Sequence, residues 1–132
     1  MKVKANHKLV LAVLAGVSIG VAGATAIHAQ QAKVAPGYFI AEVNVTDLAT
    51  MQKYGEKVPD TLTPFNHHYV VRGGKTDSLE GEPPNGHIVI IAFDSVAKAR
   101  EWYDSPAYQA IVPIRQSAAK ARIFIAEGVA PQ

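Results

Sequence analysis

Cysteine is absent from the 132 residues, which excludes a disulfide scaffold, a thiolate metal site and a cysteine nucleophile. Aromatic residues are few at 8%, with a single tryptophan, Trp102. Charged residues make up only 18%, and no run of Lys or Arg occurs. Lys2, Lys4 and Lys8 account for three of the thirteen basic residues, so the rest of the chain sets ten basic groups against eleven acidic ones. A nearly neutral body without a basic patch offers nucleic acid no electrostatic hold. Internal repeats and low-complexity tracts are missing as well. With 48% hydrophobic residues, the length suits one globular domain.

What is present begins with an export signal. Lys2, Lys4 and Lys8 form a positive start, and Leu9 to Ile27 is uncharged and rich in Leu, Val, Ala and Gly. Small-residue cleavage patterns follow at Ala24-Thr25-Ala26 and at Ile27-His28-Ala29. The alternative is a retained membrane anchor, since nineteen uncharged residues nearly span a bilayer. Gly16, Ser18, Gly20 and Gly23 weaken such a helix. Residues 1–29 are read as the signal peptide, and either reading puts the domain in the periplasm or outside the cell. Membrane contact is expected only if the segment stays uncleaved.

Residues 30–37 form a linker, 38–128 the folded domain and 129–132 a tail. Tyr38 to Val45 alternates partly, as a strand with unlike faces should. Thr46 or Asp47 can cap a helix carrying Leu48, Met51 and Tyr54 along one side. Gly55 and Pro59 strain that helix, so it is expected to run to about Lys57 and loosen before Phe65. His67 to Arg72 reads as a strand, Lys75 to Asn85 as an irregular excursion, and His87 to Phe93 as a central strand. Asp94 or Ser95 caps the next helix, with Val96, Ala99, Trp102 and Tyr103 sharing a side. Ser105 caps a further helix with Pro106 at its first position. Pro113 is expected to kink that helix, which ends near Ala118, and Arg122 to Glu127 forms the last strand.

The order β-α-β-β-α-β predicts an α+β, ferredoxin-like antiparallel sheet with its helices on one face. Phe39, Val43, Ile88 and Ile90 cannot all point at the helices. An apolar bare face asks for a partner, so a homodimer enclosing a barrel-like cavity is expected.

The segments Tyr38-Phe39-Ile40-Ala41-Glu42-Val43, Tyr69-Val70-Val71-Arg72-Gly73-Gly74, Glu80-Gly81 and Trp102-Tyr103-Asp104-Ser105-Pro106-Ala107-Tyr108-Gln109 resemble domain-of-unknown-function family 1330. The resemblance covers about residues 37–128. It implies a dimeric α/β barrel, a superfamily shared with small antibiotic-biosynthesis monooxygenases and muconolactone isomerase. Two departures stand out. Asn66-His67-His68 replaces a Gly-rich turn, and the export segment is unlike relatives of cytoplasmic appearance. The family has no settled activity to transfer. The superfamily analogy implies a cofactor-free enzyme acting on a small organic acid or a quinone-like substrate. The alternative is a non-catalytic periplasmic module, stress-related or ligand-binding.

Candidate site residues follow from chemistry. Arg72, at a strand end, could hold a carboxylate or enolate, or could pair structurally with Glu80 or Glu82. Gly73-Gly74 suit positive-φ backbone or a bulge. Gly74-Lys75-Thr76 is no phosphate loop, because Tyr69 stands where the earlier glycine belongs. His67 or His68 could serve as a general base. With His87 these are too few and too divergent for a metal site, because neighbouring strand residues face opposite ways. No metal or cofactor is expected. Tyr108, Ile111, Val112 and Arg115 share one helical face, so Tyr108 and Arg115 line a ligand cavity or pack in the core. Trp102 and Tyr103 read as core anchors, Ser95 and Ser105 as caps, and Asp60, Asp94 and Asp104 as turn or cap residues.

Overall fold

A computed structural model describes residues 33–132; the expected export segment and residues 30–32 of the linker lie outside the described residues. Strand β1 (Gly37–Val45) leads into helix α1 (Leu48–Leu62). Strands β2 (His67–Arg72) and β3 (His87–Phe93) follow. The second crossover carries two helices, α2 (Val96–Asp104) and α3 (Pro106–Ala118), before strand β4 (Ala119–Glu127). The four strands are antiparallel in the order β2-β3-β1-β4, which is the ferredoxin-like arrangement expected from the sequence.

Local chemistry sets the helix starts. Asp47, rather than Thr46, caps α1, its carboxylate accepting from the Thr50 amide at 3.1 Å and the Thr50 hydroxyl at 2.6 Å. Those bonds hold the exposed Asp47 carboxyl below its ordinary pKa. Ser95, rather than Asp94, caps α2, and Asp94 instead accepts from Asn66 Nδ2 at 2.7 Å. Ser105 both ends α2 and caps α3: its hydroxyl donates to the Trp102 carbonyl at 2.7 Å and accepts from the Tyr108 amide at 3.3 Å.

Three expectations are corrected. Helix α1 does not loosen at Lys57 but continues through Gly55 and Pro59 to Leu62. Pro59 is exposed, while Tyr54, Val58 and Leu62 on the inner side are buried. Burying those three side chains outweighs the roughly 3 kcal/mol that an interior proline costs. Leu48 is not on that inner side; it is 67% exposed. Strand β4 begins at Ala119, three residues early, because its pairing with β1 extends to Val45↔Ala119. Helix α3 ends at Ala118 as expected, with the exposed Pro113 inside it.

The core lies between the helices and one sheet face. Phe39, Ala41 and Val43 of β1 point into it, with Ile91 and Phe93 of β3 alongside. Trp102 is fully buried at its centre, edge-on to Phe39 (5.1 Å), stacked on Phe93 (5.4 Å) and 4.1 Å from Tyr108 between ring centres. The opposite sheet face carries Ile40, Ile88, Ile90 and the half-exposed Phe124, crossed by an Arg122–Glu42 ion pair at 3.1 Å.

Candidate functional site

A cavity of about 150 Å³ lies between the sheet and the helices. Its walls come from β1 (Phe39, Ala41, Val43), β3 (Val89, Ile91), α1 (Tyr54, Gly55, Val58) and Trp102. Most of the lining is apolar, and among the described residues its only ionic side chains are Arg72 and Arg115, with no carboxylate. The volume is about that of cavities that hold a benzene-sized molecule.

Arg72 reaches this cavity because β2 is bulged. Tyr69 pairs with Ile91 and Arg72 with Val89, both on the helix-facing side, so Val70 is an extra residue in the ladder. Without the bulge, residues three apart would face opposite ways. The Arg72 guanidinium lies 4.5 Å from the centre of the Tyr69 ring. Arg72 is exposed, and the three ion pairs among the described residues do not include it, so the expected pairing with Glu80 or Glu82 does not form. Gly73 does adopt positive φ (68°), but the bulge sits upstream of it.

Arg115 is the opposite case. It is only 6% exposed, pairs with no carboxylate among the described residues, and its Nε has no hydrogen-bond partner. Placement in the last turn of α3 gives it the partial negative charge of that helix end, an incomplete compensation. A buried cation without a counter-charge is costly, so its retention asks for a reason outside packing. Beside it, the Tyr54 and Tyr108 hydroxyls meet at 2.8 Å in a buried hydrogen bond. Burial pushes both phenols above their ordinary pKa; for Tyr54 the neighbouring Tyr108 adds to the rise, while Arg115 pulls both down. Both therefore stay protonated at neutral pH. Two hydroxyl protons serve one mutual bond, which leaves one proton free for a further acceptor. A fixed cation and a spare O–H in an apolar cavity form a receptor for a small anion.

The remaining sequence candidates fall elsewhere. His67 does not line the cavity; its Nδ1 lies 2.8 Å from the Phe65 carbonyl. His68 and His87 are exposed. Among the described residues, therefore, no histidine faces the cavity as a base. Among the described residues no three His, Cys, Asp or Glu side chains converge. Tyr108 sits behind the lining with no exposed surface. Tyr54 and Gly55 are not singled out by their chemistry in the sequence, where Tyr54 reads as part of a helix face and Gly55 as a strain on that helix. Their signal would have been the inner-face pattern Met51, Tyr54, Gly55, Val58, in which a phenol and a glycine occupy core positions.

A family model described as a domain of unknown function (DUF1330) matches residues 36–129. No curated protein matches the chain. Among solved structures, a Rhodopseudomonas palustris protein of unknown function is 18% identical with a TM-score of 0.59, over 83% of this chain and 94% of its own. SnoaB, a cofactor-independent oxygenase from Streptomyces nogalater, is 10% identical with a TM-score of 0.52, over 75% and 96%. A dimeric ferredoxin-like protein of unknown function from Thermobifida fusca is 12% identical with a TM-score of 0.51, over 74% and 95%. At these identities the likeness is one of fold.

Proposed function

The chain belongs to the DUF1330 family, and from that premise we propose that it binds a small organic anion in the cavity between its sheet and helices. The observation that carries this reading is Arg115, a cation 6% exposed with no carboxylate beside it among the described residues. The ligand's anionic group pairs with that guanidinium and accepts the spare phenol proton of the Tyr54–Tyr108 pair. Its apolar body lies against Ile91, Val58 and Trp102. Arg72 at the strand end adds attraction for an incoming anion, weakened by its exposure.

Calorimetric titration with small monocarboxylates and their neutral amides tests the reading. Carboxylates should bind and amides should not. Equal affinity for both, or no binding by either, would remove the anion-binding claim.

A cofactor-free enzyme is the second reading. In a water-poor cavity the same guanidinium and phenol would stabilise an oxyanion developing on a small organic acid or quinone-like substrate. The fold shared with a cofactor-independent oxygenase supports it by analogy alone. Against it, no histidine or carboxylate among the described residues lines the cavity, and burial keeps the Tyr54 phenol protonated at neutral pH. Mass analysis of the recovered ligand separates the two: an unchanged mass means binding, a changed one means turnover.

Two further parts of the proposal concern context. A second copy of the chain covers the outer sheet face, which Ile40, Ile88, Ile90 and Phe124 make apolar. A solved protein of this fold is described as dimeric, which supports the same reading. Sedimentation should give a dimer, and Ile90→Lys should give a monomer; a monomeric native chain would refute the pairing. Export through residues 1–29 rests on the sequence. Fractionation of cells should recover a shortened chain outside the cytoplasm, and a full-length cytoplasmic chain would count against it.

A further inference from the structure

We infer that Gly55 sets the size of the anion this cavity accepts, and that the accepted class is a monocarboxylate with a ring-sized apolar body. The inference rests on the anion-binding reading of Arg115. It starts from where Gly55 stands. Helix α1 turns Met51, Tyr54, Gly55 and Val58 toward the cavity, the spacing of an inner helical face. Three of the four are the bulky residues such a face needs, and the fourth is glycine.

Neither a left-handed backbone nor a crowding neighbour calls for a glycine there. Gly55 has no positive φ, in contrast to Gly73, Gly81 and Gly86. A Cβ built on it would meet nothing within 4 Å, so no neighbour forces the side chain away. Glycine is also among the poorest residues for a helix interior. The helix thus accepts an unfavourable residue at a core-facing position and leaves space beside the Tyr54 phenol. That space is continuous with the lining that holds Arg115, Ile91 and Trp102. An anion seated on Arg115 has room for a body there. A volume of about 150 Å³ matches a single ring.

One rival explanation is on the same helix. Pro59 lies four residues after Gly55, and a proline ring crowds the carbonyl at that separation, which a flexible glycine relieves. The experiment must therefore separate room for a ligand from relief of a helix.

Gly55→Ala, Gly55→Leu and the double variant Gly55→Ala/Pro59→Ala are to be titrated with benzoate and with acetate. Quenching of Trp102, the sole tryptophan, reports binding, and thermal melting is followed in parallel. Acetate reaches only the Arg115 end, whereas benzoate also needs the space at Gly55. Gly55→Ala should keep or raise the melting temperature and weaken benzoate by about tenfold or more. Gly55→Leu should abolish benzoate binding, and acetate affinity should stay as in the wild type throughout. Unchanged benzoate affinity in the folded Gly55 variants would overturn the inference while leaving the anion site intact. So would a Gly55→Ala chain that loses its fold and regains it, with wild-type benzoate affinity, in the double variant. If the wild type binds neither probe, the anion-binding reading fails first and this one with it.

Discussion

Two buried polar clusters share one core, and they are finished differently. Around Trp102 each group is matched: the indole N–H donates to the Thr61 hydroxyl at 3.0 Å, and that hydroxyl donates to the Val58 carbonyl at 2.7 Å. Around Arg115 the accounting stays open, with an unpartnered Nε and two phenols that use one mutual bond at 2.8 Å. A closed cluster gains nothing from a ligand, because its donors and acceptors are already satisfied. An open one pays a standing desolvation cost that a ligand of the right charge can relieve. The difference marks the Trp102 cluster as structural and the Arg115 cluster as the site.

Substitutions can break that contrast, the largest effects falling on the closed cluster. Trp102→Ala removes the side chain that Phe39, Phe93 and Tyr108 surround, and should cost about 3–5 kcal/mol in urea unfolding. Thr61→Val keeps the shape but strands the indole N–H, at about 1–3 kcal/mol. It should leave carboxylate affinity alone, and a lost affinity would merge the two clusters into one. Ser105→Ala removes the cap of α3 and a bond to the Trp102 carbonyl, and should cost about 1 kcal/mol. Tyr54→Phe takes from the buried Tyr108 hydroxyl its bond partner, and should cost about 1 kcal/mol near neutral pH while weakening carboxylate binding several-fold, read by the same titration.

The phenols also give a pH signature. Their pKa values are raised in the folded chain, so the folded state keeps protons that the unfolded chain loses above its ordinary tyrosine pKa of about 10. Stability should be unaffected by these groups below that pH and fall as it rises further. Urea unfolding near pH 9 and near pH 11 should show the fall. The Tyr54→Phe/Tyr108→Phe double variant should flatten it, and an equally steep fall in that variant would assign the loss to other groups.

Much of the fold was legible in the sequence because its signals are local. Ser95 and Ser105 are caps whose bonds form within three residues, and the apolar run of β3 needs no distant information. The errors arose where packing overrode local preference. Pro59 sits inside α1 because its ring faces out while Tyr54, Val58 and Leu62 bury. The bulge at Val70 depends on β3 across the ladder, and it decides which face Arg72 joins. For the site, the helical face of Tyr108 and Arg115 was readable, but whether Arg115 packs or binds depends on its neighbours. Tyr54, from a different helix, and a cavity without a carboxylate among the described residues decide that, and neither is a local signal.

The most direct measurement is the thermal melting of Arg115→Met with and without benzoate. Methionine keeps the length and apolar stem of the side chain while removing its charge. If Arg115 is a buried cation held for an anion, the variant should melt at or above the wild-type temperature without ligand. The benzoate-induced rise seen in the wild type should then be absent. A variant that melts far below the wild type and still responds to benzoate would contradict this, and would make Arg115 a part of the framework.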